Sequence, residues 1–471
     1  MKKKMLFLFV FLAAATLLLT ACKTPEVEVN TVYEIAVKAD GETLNCSQTT
    51  TYVNTVCDEM TELTFAVYPY AYTQDAEHKA YVGELPRYAT VNFSKIEVNG
   101  EPVEATPGVY MNLPVQLKRG EKVVVRTDYC LTLPECPLRF GQKDGYTNLS
   151  GFYPQVAVYG EDGFRTDAFS TVGDPVLSDV ADFFCTFDLP ESVVAATPFE
   201  TTTEVGEEGR KILRFEGKNA RDIAVVWSEK FLVQESEWEG IKVSYYSARE
   251  DAISSCELAK NALATFSKAF GKYPYTQYTV AETPFEADGM EFSGLAYVAV
   301  DCSDRERAII HETAHQWWYN VVGNDNVNAA YLDEGLTTFS TEYYYLLNGD
   351  EQKFDEGIAS IKNAYARYER LQKMRGENGS LDMTRPIYEY TEYKYGLLVY
   401  DKSALMFDAL YRLGGKEKFN ASLRTYYTDN YFRRADKQAL ITAFNRGMRS
   451  DVGGLIEGWL SEGAIVATFA S

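Results

Sequence analysis

His311, Glu312 and His315 stand in the run Ile309-Ile310-His311-Glu312-Thr313-Ala314-His315-Gln316-Trp317-Trp318, which contains H-E-x-x-H. Residues four apart share one face of a helix. The two imidazoles can therefore turn their nitrogens toward one zinc ion. Glu312, the next residue after His311, is then placed to take a proton from water beside the metal. The apolar flanks Ala308, Ile309, Ile310, Trp317 and Trp318 would hold such ligands rigidly and exclude bulk water. The chain has only three histidines. The third, His78, is distant in sequence and reads as a surface residue. A catalytic zinc with two histidines needs a third protein ligand, commonly a carboxylate, with the fourth position left to water. Glu334, in Tyr331-Leu332-Asp333-Glu334-Gly335-Leu336, is the leading candidate. A turn around Gly323–Asn326 would bring it back to the metal. Its plain alternative is a helix-capping acid, a part Asp333 could play instead. The expected cofactor is one zinc ion per chain. Asp304, Glu306, Asp333 and Glu342 are candidates for orienting the histidines from behind.

The elements that must hold these residues change character near residue 235. From Thr31 to Phe231 the pattern is short and strand-like, as in Glu62–Tyr68, Lys122–Arg126 and Ala181–Phe187, with Gly, Pro, Asp and Asn punctuation. This reads as an all-β domain over 31–233, built of two packed or strongly twisted sheets. Beyond it, segments near Cys256–Phe270, Arg305–Tyr319, Thr337–Leu347, Glu351–Arg375 and Lys402–Leu413 have helical period. Thr276–Ala281 and Gly294–Val300 read as strands between the first two helices. The stretch 234–471 is therefore an α+β domain.

The 471 residues suggest two to four domains, at roughly 100–200 residues each. A formal charge of -22 and a pI near 4.7 exclude nucleic acid as a main partner, because phosphate binding needs a basic surface. Lys2, Lys3 and Lys4 precede an apolar run from Met5 to Leu19, followed by Thr20, Ala21 and Cys22. A basic start, an apolar stretch and small residues describe a secretory signal over 1–21. The cysteine after the small residues resembles a bacterial lipobox, which implies lipidation of Cys22 and a tether over 22–30. The expected location is the cell membrane, lipid-anchored, with the folded part outside the cytoplasm. Cys46–Cys57 and Cys130–Cys136 are candidate local disulfides, weighed against buried thiols.

H-E-x-x-H followed by Glu334 inside an L-x-E-G run resembles the gluzincin aminopeptidases, which include alanyl aminopeptidases and leukotriene epoxide hydrolase. The run Asp288-Gly289-Met290-Glu291-Phe292 resembles their G-x-M-E-N stretch, with Asp288 and Phe292 as departures. By that resemblance Glu291 binds the free amino terminus of a peptide. Tyr400-Asp401-Lys402-Ser403-Ala404 is similar to their Y-x-K-G-A context, with serine for glycine. This implies that Tyr400 stabilises the oxyanion, with Tyr393 and Tyr395 as nearby competitors. Gly151-Phe152-Tyr153-Pro154 and Ala224–Phe231 resemble parts of the family's saddle-like N-terminal domain. The resemblance implies a thermolysin-like catalytic domain from about Gln234. Many members continue with a large C-terminal helical repeat domain, which is expected to be absent or reduced to a few helices here, where the sequence stops at Ser471. It also implies a second amine-binding residue from the β domain, for which Gln142, Asn148 and Gln155 are candidates.

The implied reaction is water attack on a peptide carbonyl. Glu312 accepts the water proton and passes it to the leaving amine. Tyr400 donates to the oxyanion, and Glu291 fixes the register on peptides with a free N-terminus. A thermolysin-like endopeptidase would need no Glu291. A peptide-binding protein on an inactive peptidase scaffold would commonly have lost Glu312 or a ligand. An epoxide hydrolase would use much the same site on a lipid.

Overall fold

A computed structural model describes residues 27–375 and 381–461. The signal segment 1–21 and Cys22 lie outside the described residues, as do the first residues of the tether. In the N-terminal half the side-chain period is two. Strand β1 (Thr31–Asp40) buries Tyr33, Ile35, Val37 and Ala39 and turns Glu34, Lys38 and Asp40 out or partly out. Among the described residues the largest sheet has eight strands. They are β1, β2 (Thr43–Val53), β3 (Thr90–Val98), β4 (Glu101–Pro102), β5 (Lys122–Thr132), β6 (Ala181–Pro190), β7 (Thr201–Val205) and β8 (Arg210–Ala220). Their order is β7-β8-β6-β1-β2-β5-β3-β4, with β1 and β6 parallel. A three-stranded sheet built on Glu59–Ala66 and Tyr110–Lys118 shares its core through Leu63, Phe65, Met111 and Leu113. Tyr146–Ser150 and Ala224–Ser228 belong to a four-stranded sheet and are buried at every position. They lie where the two halves of the chain meet. Tyr146, Ala224 and Val226 share a cluster there with Met290, Phe292 and Leu295.

The second half opens with a five-stranded mixed sheet. Its strands are β9 (Leu232–Trp238), β10 (Ile241–Ser247), β11 (Gln277–Thr283), β12 (Gly289–Phe292) and β13 (Leu295–Ala299), in the order β9-β10-β11-β13-β12. Helix α1 (Ile253–Ala269) crosses between β10 and β11, which run parallel. The longer helices that follow are α2 (Arg305–Ala314), α3 (Glu334–Leu347), α4 (Glu351–Arg375), α5 (Ser403–Asp429), α6 (Lys437–Met448) and α7 (Gly453–Leu460). None of the helices among the described residues is long and apolar enough to cross a membrane. The chain is thus an open β-sheet domain followed by an α+β domain, with the thermolysin-like order of mixed sheet first and helices after.

Three sequence expectations change. The helix expected over Arg305–Tyr319 ends at Ala314, where the amides of Gln316 and Trp317 bond three residues back, and the chain then turns at Tyr319, whose φ is 142°. The segment Lys402–Leu413 extends to Asp429 through a kink at Gly415, where φ is 69°. Cys46, Cys57, Cys130, Cys136, Cys185, Cys256 and Cys302 are all free thiols. Cys46 sits in mid-strand of β2 opposite Tyr129, and the extended chain carries Cys57 roughly 20 Å beyond it. Cys136 is buried, with its sulfur on the Phe140 carbonyl.

Candidate active site

The site is assembled where α2, α3 and β12 converge. Asp304 caps α2 by accepting from the Arg307 amide. Buried Ile309, Ile310 and Ala314 fix the helix against the core, leaving the His311 and His315 edges together. The two Nε2 atoms are 3.2 Å apart. Oε2 of Glu334 is 3.4 Å from His311 Nε2 and 3.3 Å from His315 Nε2. Asp333 caps α3 through the Glu334 amide, so the adjacent Glu334 carboxylate is free of that duty.

The tautomers follow from the partners. Trp318 O lies 2.9 Å from His315 Nδ1, and a carbonyl can only accept, so Nδ1 carries the proton. The Thr341 hydroxyl donates to Thr337 O at 2.9 Å and so accepts from His311 Nδ1 at 3.3 Å. With each ring neutral and its proton on Nδ1, both Nε2 lone pairs face a carboxylate oxygen that is buried without a hydrogen-bond partner. Only a cation reconciles three converging acceptors. Zinc with bonds of about 2.0–2.1 Å needs tetrahedral edges near 3.3 Å, which is the separation found. Burial acts to raise the Glu334 carboxyl, but positive charge on His315 and His311 outweighs it and holds it well below the usual range, and a metal ion between neutral rings would supply that charge instead. These three residues fit a single zinc site.

The histidines are oriented by a carbonyl and by Thr341, with the Thr337 hydroxyl 3.2 Å from His315 Nδ1. None of the four acids expected from the sequence does this. Asp304 and Asp333 are caps, Glu306 meets Tyr345 and Lys353, and Glu342 meets Arg307. Thr337 and Thr341 lie three and seven positions beyond Glu334. Helical period alone places them on its face, and this was the signal available.

Glu312 is buried beside the triad, and burial pushes its carboxyl up to about 8, although His315 pulls it down. Its room comes from Gly289 on β12, where a Cβ would overlap Glu312 Oε1. Two residues along the same edge strand, on the same face, Glu291 brings Oε2 to 4.0 Å from His315 Nε2. Its Oε1 is buried without a partner. Tyr400 lies in a π-helical turn, Gly396–Lys402, of the kind that recurs at functional sites. Its hydroxyl donates to Glu334 Oε1 at 2.6 Å, and its ring lies nearly parallel to His311. Tyr393 is exposed, and the buried Tyr395 hydroxyl has no partner.

Gln142 and Asn148 turn their amide nitrogens to the carbonyls of Gly41 and Leu138, whereas Gln155 donates to Leu177 O at 3.4 Å and keeps a buried Oε1 without a hydrogen-bond partner. The acid that the β domain sends toward the site is Asp174, paired with Arg139 at 2.8 Å. Its charge is felt at Glu291, Glu312 and His315. No local motif marks Asp174 in the sequence.

Residues 254–459 match the peptidase family M1 domain. The chain is 28% identical over 220 residues to aminopeptidase B of Rattus norvegicus, covering 44% of this chain and 31% of that protein. It is 21% identical over 355 residues to aminopeptidase N of Lactococcus lactis subsp. lactis, covering 67% and 41%. The matches thus span less than half the length of these two relatives. The M1 zinc metallopeptidase of Deinococcus radiodurans superposes with a TM-score of 0.65 at 19% identity, over 93% of this chain and 96% of that one. The second domain thus matches the M1 peptidase fold, and with the β domain before it the chain has the two-domain fold of that metallopeptidase.

Proposed function

We propose that this protein is a zinc aminopeptidase that removes the N-terminal residue of peptides. The observation that carries the reading is Glu291, a buried acid with an unpartnered oxygen beside the His311–His315–Glu334 triad. An ammonium group would satisfy it, and a metal-hydrolysis site alone would not require it. When bound, zinc supplies a Lewis acid that polarises the scissile carbonyl and makes water a nucleophile near neutral pH. Glu312 takes the proton of the attacking water and delivers it to the leaving amine, a task suited to a carboxyl raised toward neutrality. The Tyr400 hydroxyl donates to the oxyanion. Glu291 holds the substrate ammonium and sets the cut one residue from the end. A point mutant of the Deinococcus radiodurans M1 metallopeptidase has been solved bound to Tyr-ser-ala substrate, which supports a peptide ligand here. The thermolysin-like endopeptidase reading leaves Glu291 without a task.

Matched peptides with free and acetylated N-termini, with and without chelator, test this directly. Only the free-amine peptide should be cut, and only without chelator. Equal cleavage of the acetylated peptide would overturn the aminopeptidase reading. The N-terminal run to Cys22 supports a lipid-anchored protein outside the cytoplasm. Cys22→Ser should move it from the membrane to the soluble fraction, and an unchanged distribution would contradict the anchor.

A further inference from the structure

Arg221 and Asp222 follow directly on β8, the last strand of the large N-terminal sheet, yet both are buried against the second half of the chain. Among the described residues no carboxylate pairs with Arg221. Its guanidinium is met by backbone carbonyls: Nε by Tyr319 at 2.6 Å and Asn320 at 2.9 Å, Nη1 by Ser178 at 3.2 Å, and Nη2 by Arg433 at 2.9 Å and Val321 at 3.4 Å. Burying a cation is costly unless its donors are met. Here that cost is borne largely by one short loop. Gly323 makes the room, since a Cβ there would overlap Arg221 Cζ. Asp222 accepts the Tyr319 hydroxyl on Oδ2 and the Ser293 amide, at 2.8 Å, on Oδ1.

The loop it holds is the one that orients a metal ligand. Trp318 O accepts from His315 Nδ1 at 2.9 Å, and the Asn320 amide donates to His315 O at 3.0 Å. Between them Tyr319 has φ 142°, a strained conformation for a side-chain-bearing residue. Such a conformation persists only where its surroundings over-determine it. Arg221 on its carbonyl and Asp222 on its hydroxyl do that. On the other side, Ser293 directly follows β12, which carries Glu291. We propose that Arg221 and Asp222 are positioning residues by which the β domain sets both the Trp318 carbonyl behind His315 and the strand end that carries Glu291. Zinc affinity should then depend on this dipeptide although neither residue reaches the metal.

This rests on the zinc reading above, and its test needs no substrate. Zinc affinity is measured by competition with a chromophoric chelator for the wild type, Arg221→Lys and Tyr319→Phe, with Arg210→Lys as a control. Arg210 ties Asp188 and Asp40 together within the large sheet, away from the site. Loss of an outer partner of a ligating histidine costs about 10–100-fold in affinity. Arg221→Lys should therefore weaken zinc about tenfold, Tyr319→Phe about threefold, and Arg210→Lys not at all, even where its melting temperature falls equally. Wild-type zinc affinity in folded Arg221→Lys overturns the proposal. If that variant does not fold, wild-type affinity in Tyr319→Phe overturns it. A wild type that binds no zinc removes the metal reading itself and this inference with it.

Discussion

The Tyr400 hydroxyl and the Glu334 carboxylate are joined at 2.6 Å through Oε1, while Oε2 of the same carboxylate faces His311 and His315. One acid thus links the metal triad to the phenol assigned to the oxyanion. Because the bond goes to the oxygen that does not face the histidines, Tyr400 can leave it for substrate without disturbing the triad.

Tyr400→Phe should therefore keep zinc and lose turnover. Removing one oxyanion donor costs about 100–1,000-fold in kcat. The expected result is a fall of that order with KM changed little, read from steady-state kinetics beside metal analysis. A loss of zinc equal to the loss of rate would place Tyr400 in support of the metal instead.

Glu291→Ala should separate substrates by their N-terminus. Truncating one partner of a buried charge pair costs about 2–5 kcal/mol, so kcat/KM on a free-amine peptide should fall about 30-fold or more. An acetylated peptide gains nothing from Glu291 and should show no further loss. Equal effects on both would contradict amine binding.

Gly289→Ala tests the space around Glu312. The added methyl meets a carboxylate at the heart of the site. A modest stability cost of about 1–3 kcal/mol is expected from overpacking, together with a much larger loss of kcat as Glu312 is displaced. Retention of full activity would mean that Glu312 has freedom the packing denies it.

Acid stability should report on Glu282, away from the metal. Burial opposes its ionisation, but hydrogen bonds from Arg249, Ser247 and Tyr245 and the charge of Arg305 win and hold its carboxyl below the ordinary 4.5. A depressed carboxyl contributes stability above its unfolded pKa and loses it as pH falls through the folded one. The gap in urea midpoint between wild type and Glu282→Gln should be constant from about pH 7 to 5.5 and shrink below about 4.5. A gap that widens in acid would reverse the assignment.

The zinc triad was legible in the sequence because helical spacing alone joins His311 to His315, and one short return brings back Glu334. Glu291 and Tyr400 carried no such geometry of their own and were placed by resemblance. The threonines behind the histidines had only the helical period from Glu334 to mark them, and Asp174 and the Arg221–Asp222 pair were not legible. Each is an ordinary residue type whose meaning comes from chain far away: Arg221 meets Tyr319 and Arg433 across contacts no periodicity encodes. The early end of α2 was missed for a related reason. Apolar Trp317 and Trp318 extend its pattern, yet their burial is in a turn fixed by Arg221 and not in another helical repeat.

Zinc content of the purified protein, measured beside that of Glu334→Ala, tests the central claim most directly. One zinc per wild-type chain is predicted, with a much weaker and readily chelated metal in the variant and no cleavage by either metal-free form. A wild type that cuts free-amine peptides with no zinc bound, or a Glu334→Ala variant that holds zinc as tightly as the wild type, would contradict the account.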